Sequence, residues 1–377
     1  MNNFKMSSGP ASTYSGAAST YSGAASTYSG AASGAASGAA SGGVGSMAAA
    51  DALRKSRDAI VTPGDASSYP LPGSSPPFPD FVTIDGSPPV DLLNRLSHWD
   101  DWVVVTLCLP ELMRLLTFTT AAGKARVTMS LNGTAVVTSD RPSIDTFRHQ
   151  LKDVIADAEL REDRASEILM QVNDTWSFWA TILPLGADKT PATTRLMMIA
   201  HEFAIQVHMR FKHEFACARP EEYSPQVQPM IRTPGHGTYP MGHGCEAAMT
   251  AAILSAVTQP TTQPTTQPAA WNGLVLQMQA LANRIGDNRI VAGLHFQIDL
   301  EAGLALGKWL GDYFISCCKL ATATVVPLAP ITCVPRTGDQ GPLDVTTGTA
   351  QNFNLPAHPD LNTVWIEARK EWAWINR

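Results

Sequence analysis

Charge is scarce in this chain: Asp, Glu, Lys and Arg make up 16% of its residues, and the formal net charge is −6. Nucleic acid and anionic membranes both bind basic surfaces, so neither is an expected partner. Cysteine is sparse as well, with six residues: Cys108, Cys217, Cys245, Cys317, Cys318 and Cys333. None lies in a CxxC pair, and nothing resembles a disulfide framework or a zinc knuckle, so buried free thiols are expected. Long apolar runs are missing too. No stretch approaches the roughly 18 residues that a membrane helix needs, which leads us to expect a soluble protein. The first residues, Met1 to Lys5, run into Ser, Gly and Ala without an apolar segment. No secretory leader is therefore expected, and the cytoplasm is the favoured compartment.

What is present changes along the chain, whose 377 residues suffice for one large domain or two ordinary ones. The heptad Ser12-Thr13-Tyr14-Ser15-Gly16-Ala17-Ala18 recurs from Ser19 and again from Ser26. So little apolar bulk cannot offset ordering entropy, and residues 1–60 read as a disordered leader, in which Tyr14, Tyr21 and Tyr28 are alternatively stickers for a partner. Residues 61–90, with Pro70, Pro72, Pro76, Pro77 and Pro79, read as an extended arm.

Residues 91–325 read as the helical catalytic domain, with the site between 212 and 299. Leu92, Leu93, Leu96, Trp99 and Trp102 have helical spacing, and Pro110 is placed to open a second helix at Glu111. Arg126–Ser139 reads as a hairpin around Asn132-Gly133, a pair suited to a type I′ turn. Helices are expected over Ser143–Ala158, Arg164–Leu183, Thr190–Ala218, 243–257, 271–286 and 288–320. Thr258–Pro268, a Thr-Gln-Pro repeat, reads as an exposed insertion. Residues 326–377 read as an irregular tail ending in a short helix over Val364–Asn376 that bears Trp365, Trp372 and Trp374. The fold class expected is all-α in the main, a helical bundle with one short hairpin.

Three pieces of sequence carry the chemistry. Lys212 and Arg219 are seven apart, two turns of the expected helix, so both cations lie on one face before Pro220 ends it. Such a pair among apolar neighbours either holds an anion or forms a solvated basic stripe with His208 and Arg210. In Tyr239-Pro240-Met241-Gly242-His243, the glycine amide opens a helix and points along its dipole, a place for an anion with His243 at the rim. The alternative there is a plain helix start with an incidental histidine. His295 and Asp299, four apart on one expected helix face, suit a carboxylate that fixes the imidazole tautomer, or an ordinary surface pair. Arg289, near the start of that helix, reaches toward the same anion.

Taken in order and spacing, Lys212-x6-Arg219-Pro220, Pro240-Met241-Gly242-His243 and Asn288-Arg289-x5-His295-x3-Asp299 resemble the three-part signature of the type-2 phosphatidic acid phosphatase and vanadium-dependent haloperoxidase superfamily. The resemblance implies a bundle of the haloperoxidase and acid phosphatase type. It implies that Lys212, Arg219 and Arg289 neutralise the oxygens of phosphate or vanadate, with the Gly242 amide donating to one more. His295 would be the axial ligand to vanadium or the nucleophile toward phosphorus, His243 the general acid–base opposite it, and Asp299 the residue that orients His295. Two departures stand out. Met241 replaces the usual serine and has no hydroxyl to donate, and Asn288 replaces a serine whose donor role an amide can keep.

His236, seven before His243, lies where bromide-oxidising members are similar to one another in having a histidine; as a bare sequence feature it is equally a solvated loop residue. On that resemblance the leading expectation is a vanadium-dependent haloperoxidase. Its cofactor would be vanadate, its substrates hydrogen peroxide and a halide (bromide before chloride), with an organic acceptor and a homo-oligomer as further expectations. The alternative is a phosphatase acting through a phosphorylated His295. A third reading is a non-catalytic or catalytically weakened anion-binding homologue in which Met241 marks lost activity.

Overall fold

The computed structural model describes residues 99–260, 269–336 and 343–373. The repeat-bearing leader, the proline-rich arm, positions 261–268 of the Thr-Gln-Pro repeat and Trp374 lie outside them. The chain divides into the units Met1–Val104 and Val105–Arg377, and the site belongs to the second.

The protein is mainly helical with a few strands. Helix α1 (Asp101–Met113) leads into β1 (Leu116–Thr120), and Pro110 lies inside that helix instead of opening a new one. The expected hairpin forms from β2 (Arg126–Leu131) and β3 (Thr134–Asp140). At its tip Asn132 (φ 50°) and Gly133 (φ 80°) both take the left-handed conformation that a type I′ turn requires. Val127, Met129 and Leu131 alternate inward, so β2 presents one apolar face.

An isolated hairpin is marginal in water, and this one is extended on both sides. Strand β1 pairs antiparallel with β2, while β3 pairs parallel with a strand from far along the chain. Residues 326–377 are therefore not an irregular tail. They supply part of β4 (Thr324–Leu328), then β5 (Ile331–Val334), β6 (Asp344–Thr347) and β7 (Gln351–Leu355). The sheet order is β1-β2-β3-β5-β6, with β4 and β7 forming a separate pair.

Helix α2 (Ile144–Asp157) starts where Ser143 Oγ accepts the Thr146 amide at 3.0 Å. The expected helix over 164–183 is broken. It becomes α3 (Arg161–Met170), a turn, and one short turn of helix, α4 (Trp176–Trp179). Helix α5 (Pro191–Phe215) is the long one that carries Lys212. Its first turn has no side-chain cap of its own. Instead Glu371, at the end of α10 (Pro359–Glu371), accepts the amides of Ala192 and Thr193 at 2.7 and 2.9 Å. The Trp372 indole donates to Thr193 Oγ1 at 2.9 Å, so this tryptophan is buried within the chain.

The centre of the bundle is the contact of α7 (Gly242–Thr258) with α9 (Gln297–Cys318). Helix α7 buries residues all round, as a central helix does. Gly303 and Gly307 of α9 lie against the carbonyl oxygens of Met241 and Cys245, where a Cβ would collide. The two backbones therefore approach closely, and this sets where the first turns of α7 and α9 stand.

Candidate anion-binding active site

Each predicted site residue is placed by a chain break or a helix end. Helix α5 stops at Ala216, which turns left-handed (φ 47°) with its amide on the Lys212 carbonyl at 2.9 Å. Arg219 is therefore not on the α5 face with Lys212. It is the N-cap of a short helix, α6 (Pro220–Tyr223), and Pro220 starts that helix. The two cations still meet, because the chain doubles back.

Helix α8 (Ala269–Val291) runs unbroken through the expected boundary near 287, so Arg289 stands in its last turn. The helix ends in a Schellman motif, with Gly293 (φ 83°) donating to the Ile290 carbonyl at 2.8 Å and Leu294 to that of Arg289 at 3.0 Å. His295 therefore sits in the link to α9, with Asp299 in the first turn of that helix. The expected pair on one helix face is thus a pair across a helix start, and the contact itself forms.

One wall of the site gathers Lys212, Arg219, His236, His295 and Asp299. The Lys212 ammonium, 1% exposed, donates to the carbonyls of Gly237 and Thr238, both at 2.9 Å. Arg219 donates from Nη1 to His295 Nε2 at 2.8 Å and to the Leu294 carbonyl at 3.0 Å, and from Nη2 to His236 Nδ1 at 3.1 Å. Because Arg219 can only donate, His295 Nε2 carries the lone pair and Nδ1 the proton. That proton faces Asp299 Oδ2 at 3.0 Å, and Asp299 also accepts the Phe296 amide at 2.9 Å. The carboxylate fixes the tautomer, leaving a buried imidazole whose free nitrogen faces a guanidinium.

Arg289 and His243 form a second cluster, near enough for Arg289 to act on His243 and for His243 to act on His295 electrostatically. Arg289 Nη2 donates to the Ile168 carbonyl at 3.1 Å and to Gln171 Oε1 at 3.2 Å. His243 is hydrogen-bonded to the Gln171 backbone, so both groups are tied to the end of α3. Gly242 is the first residue of α7, and the Met241 amide before it donates to the Asp299 carbonyl at 2.8 Å. The starts of α7 and α9 are thereby clasped.

Asn288 departs from its expected role. Its amide donates to Glu167 and Gln171 at 2.7 and 3.0 Å, so its donors hold α3 in place.

Electrostatics follow from concentrating cations in a buried space. Burial, then Arg219, pushes the Lys212 ammonium down to about 7. Burial, then Lys212 and Arg219, pushes His236 down to about 3, and burial with Arg289 pushes His243 down to about 4. His295 is held well below the ordinary histidine range by burial, Arg219 and Lys212. Asp299 is raised to about 6 by burial, against the hydrogen bonds it accepts. A tetrahedral oxyanion relieves this crowding of positive charge, and at neutral pH His295 is a neutral base with an available lone pair.

Two functional groups were not visible in the sequence. Thr238, fully buried, donates from Oγ1 to Asp299 Oδ2 and lies 3.0 Å from His295 Nδ1. Its carbonyl takes Lys212, so one residue ties the cation wall to the His–Asp pair. Glu246, one turn after His243, accepts from His208 Nε2 at 2.9 Å and supplies negative charge beside His243. Glu246 lies on the same face of α7 as Gly242 and His243, the one local signal that could have marked it.

No family model matches this chain, and a comparison with curated proteins found no match. Among solved structures it is similar to a transmembrane PAP2-type phosphatidylglycerolphosphate phosphatase from Bacillus subtilis, at 16% identity and a TM-score of 0.32, over 42% of this chain and 81% of that one. Among the described residues, no helix is long and apolar enough to cross a membrane.

Proposed function

We propose that this protein is a phosphomonoester hydrolase that works through a phosphorylated His295. The observation that carries this reading is the buried His295, its Nδ1 proton on Asp299 and its Nε2 lone pair facing the Arg219 guanidinium. A nucleophile whose free nitrogen points into a cationic pocket suits in-line attack on phosphorus. Substrate displaces the Arg219–Nε2 contact, and the same N–H turns to a phosphoryl oxygen. Nε2 then forms a bond to phosphorus as the bond to the leaving oxygen breaks. Lys212, Arg219, Arg289 and the Gly242 amide hold the charge of the non-bridging oxygens. The negative charge of the bound ester favours the imidazolium form of His243, which takes up a proton as substrate binds and gives it to the leaving oxygen. In the second half His243 takes a proton from water, the water oxygen bonds to phosphorus, and the N–P bond breaks to release phosphate and free His295.

Met241 favours this reading over retention of a resident vanadate. The side chain at 241 is a thioether, so the pocket has one donor fewer than the resemblance leads one to expect. A cofactor must stay between turnovers, whereas a product must leave.

The haloperoxidase reading uses the same donors. His295 Nε2 would ligate vanadium, with Lys212, Arg219, Arg289 and Gly242 around the oxygens. Bound there, vanadate supplies a Lewis acid that activates hydrogen peroxide toward halide. His236 is the specific observation in its favour, since it lines the same wall on Arg219.

The deciding experiment incubates the purified chain with p-nitrophenyl phosphate. We expect phosphate release that vanadate inhibits and His295→Ala abolishes, together with an acid-labile, base-stable phosphohistidine trapped on the wild type. Absence of phosphate release, with bromide- and peroxide-dependent loss of monochlorodimedone absorbance after vanadate loading, would replace this reading with the second.

A further inference from the structure

Thr238 is fully buried, and each of its polar groups serves a different part of the site. Its amide donates to the Cys217 carbonyl at 3.0 Å, in the chain reversal between Lys212 and Arg219. Its carbonyl accepts the Lys212 ammonium at 2.9 Å. Both contacts belong to the backbone, so they fix where the hydroxyl stands and do not depend on it. At neutral pH the Asp299 carboxylate can only accept, so Thr238 Oγ1 donates to Oδ2 and turns its lone pairs to His295 Nδ1, 3.0 Å away. The Nδ1 proton therefore has two acceptors, Thr238 Oγ1 and Asp299 Oδ2, the latter also at 3.0 Å. Because the acceptors are bonded to each other, three groups close around one proton.

The second observation is how Asp299 is held. Its Oδ2 takes the Phe296 amide at 2.9 Å and the His295 Nδ1–H, both from its own stretch of chain. Its Oδ1 is buried and has no hydrogen-bond partner among the described residues. Among the described residues, Thr238 is thus the one hydrogen-bond donor that reaches this carboxylate from outside 295–299. Without the hydroxyl, the His–Asp pair is anchored only to itself. The imidazole then gains freedom to swing about its Cβ–Cγ bond, which carries Nε2 off the line of attack.

Resting on the phosphatase reading, we infer that Thr238 is a positioning residue, whose hydroxyl holds the His295 ring so that Nε2 is aimed at phosphorus. The backbone contact to Lys212 survives loss of the hydroxyl, so the side chain acts on turnover and not on binding of the phosphoryl oxygens.

The test compares Thr238→Val, which keeps the branched shape and deletes the hydroxyl, with Thr238→Ser, which keeps the hydroxyl, both in the full chain. With p-nitrophenyl phosphate we expect Thr238→Val to lower kcat by about 10- to 100-fold, the size of one hydrogen bond to a charged group, with KM within about threefold. Thr238→Ser should stand about tenfold above Thr238→Val in kcat. In NMR of protein with isotope-labelled histidine, the His295 Nδ1 proton should exchange with water about tenfold faster in Thr238→Val, while Thr238→Ser protects it as the wild type does. A rise in KM at unchanged kcat, or an equal fall of kcat in both variants, overturns the inference. If urea unfolding shows that Thr238→Val does not fold, Thr238→Ala takes its place in the same comparison. If the wild type hydrolyses no ester, the phosphatase reading fails, and the exchange measurement then judges Thr238 separately. Faster exchange only where the hydroxyl is missing supports it, and equal exchange in all the proteins sinks it.

Discussion

At position 241 a thioether stands at the N-cap of α7, where it makes no capping hydrogen bond and is fully buried. Its sulfur lies 3.6 Å from where a Cβ on Gly244 would stand, so the side chain fills space beside the α7–α9 contact. Met241→Ser changes two things in opposite directions. Loss of buried volume costs about 2–4 kcal/mol, while a serine at the N-cap returns about 1 kcal/mol. We expect a net loss of about 1–3 kcal/mol in urea unfolding. The new hydroxyl also adds a donor beside the Gly242 amide, and vanadate affinity should rise about tenfold, as one hydrogen bond to a charged group does. Titration of vanadate against the variant checks this. Unchanged affinity would mean that position 241 does not face the bound anion.

At the scale of the element, the geometry of the site is set by how closely α7 and α9 approach. Gly307 lies against the Cys245 carbonyl, so Gly307→Ala must push the helices apart, at a cost of about 1–3 kcal/mol. The clasp from the Met241 amide to the Asp299 carbonyl ties Gly242 and His243 to His295 and Asp299. Catalytic rate should therefore fall by more than stability does, measured by p-nitrophenyl phosphate turnover beside urea unfolding. Gly273→Ala is the control, since that glycine is exposed on α8 with open space around it. It should gain about 0.5–1 kcal/mol and leave turnover unchanged.

The same elements show what could be read from sequence. Local chemistry was legible: Asn132-Gly133 gave the hairpin, Ser143 the start of α2, and the apolar run after Gly242 gave α7. The parallel pairing of β3 with β5 joins Val137 to Ile331, and no local period carries such a contact. The end of α8 was misplaced because Gly293, a left-handed cap, went unused as a stop signal. Motif spacing survived these errors. Lys212 and Arg219 converge through a chain reversal, and His295 meets Asp299 across a helix start, so these expected contacts form although the periodic argument for them was wrong. Thr238 and Glu246 stayed hidden because a single polar residue beside a motif has no pattern of its own.

Over the whole molecule, an acidic chain of net charge −6 keeps a buried knot of cations, and pH acts on that knot with a definite sign. Without an anion, His243 stays neutral down to about 4 and His236 to about 3, whereas in the unfolded chain both titrate near 6.5. Between those values the unfolded state holds more protons, so stability falls as pH drops below about 6.5. Lys212 acts in the same direction higher up. Its folded pKa of about 7 lies below the ordinary 10.5, so stability still rises with pH across that window. Asp299 opposes them between 3.8 and about 6, where the folded carboxyl keeps a proton that the unfolded one has lost. With the histidines and Lys212 outnumbering it, the melting temperature of the anion-free protein should climb from pH 5 to pH 8. A bound oxyanion reverses the Lys212 shift, because the ammonium is then paired with negative charge. Binding above pH 7 must therefore take up a proton, and affinity for phosphate should weaken as pH rises through and beyond about 7. Calorimetric titration at pH 8 in two buffers of different ionisation enthalpy measures that uptake directly. A proton taken up with each phosphate bound places Lys212 against the anion. Zero uptake, with affinity flat between pH 7 and pH 9, would put the lysine outside the pocket and leave Arg219 and Arg289 to hold the charge alone.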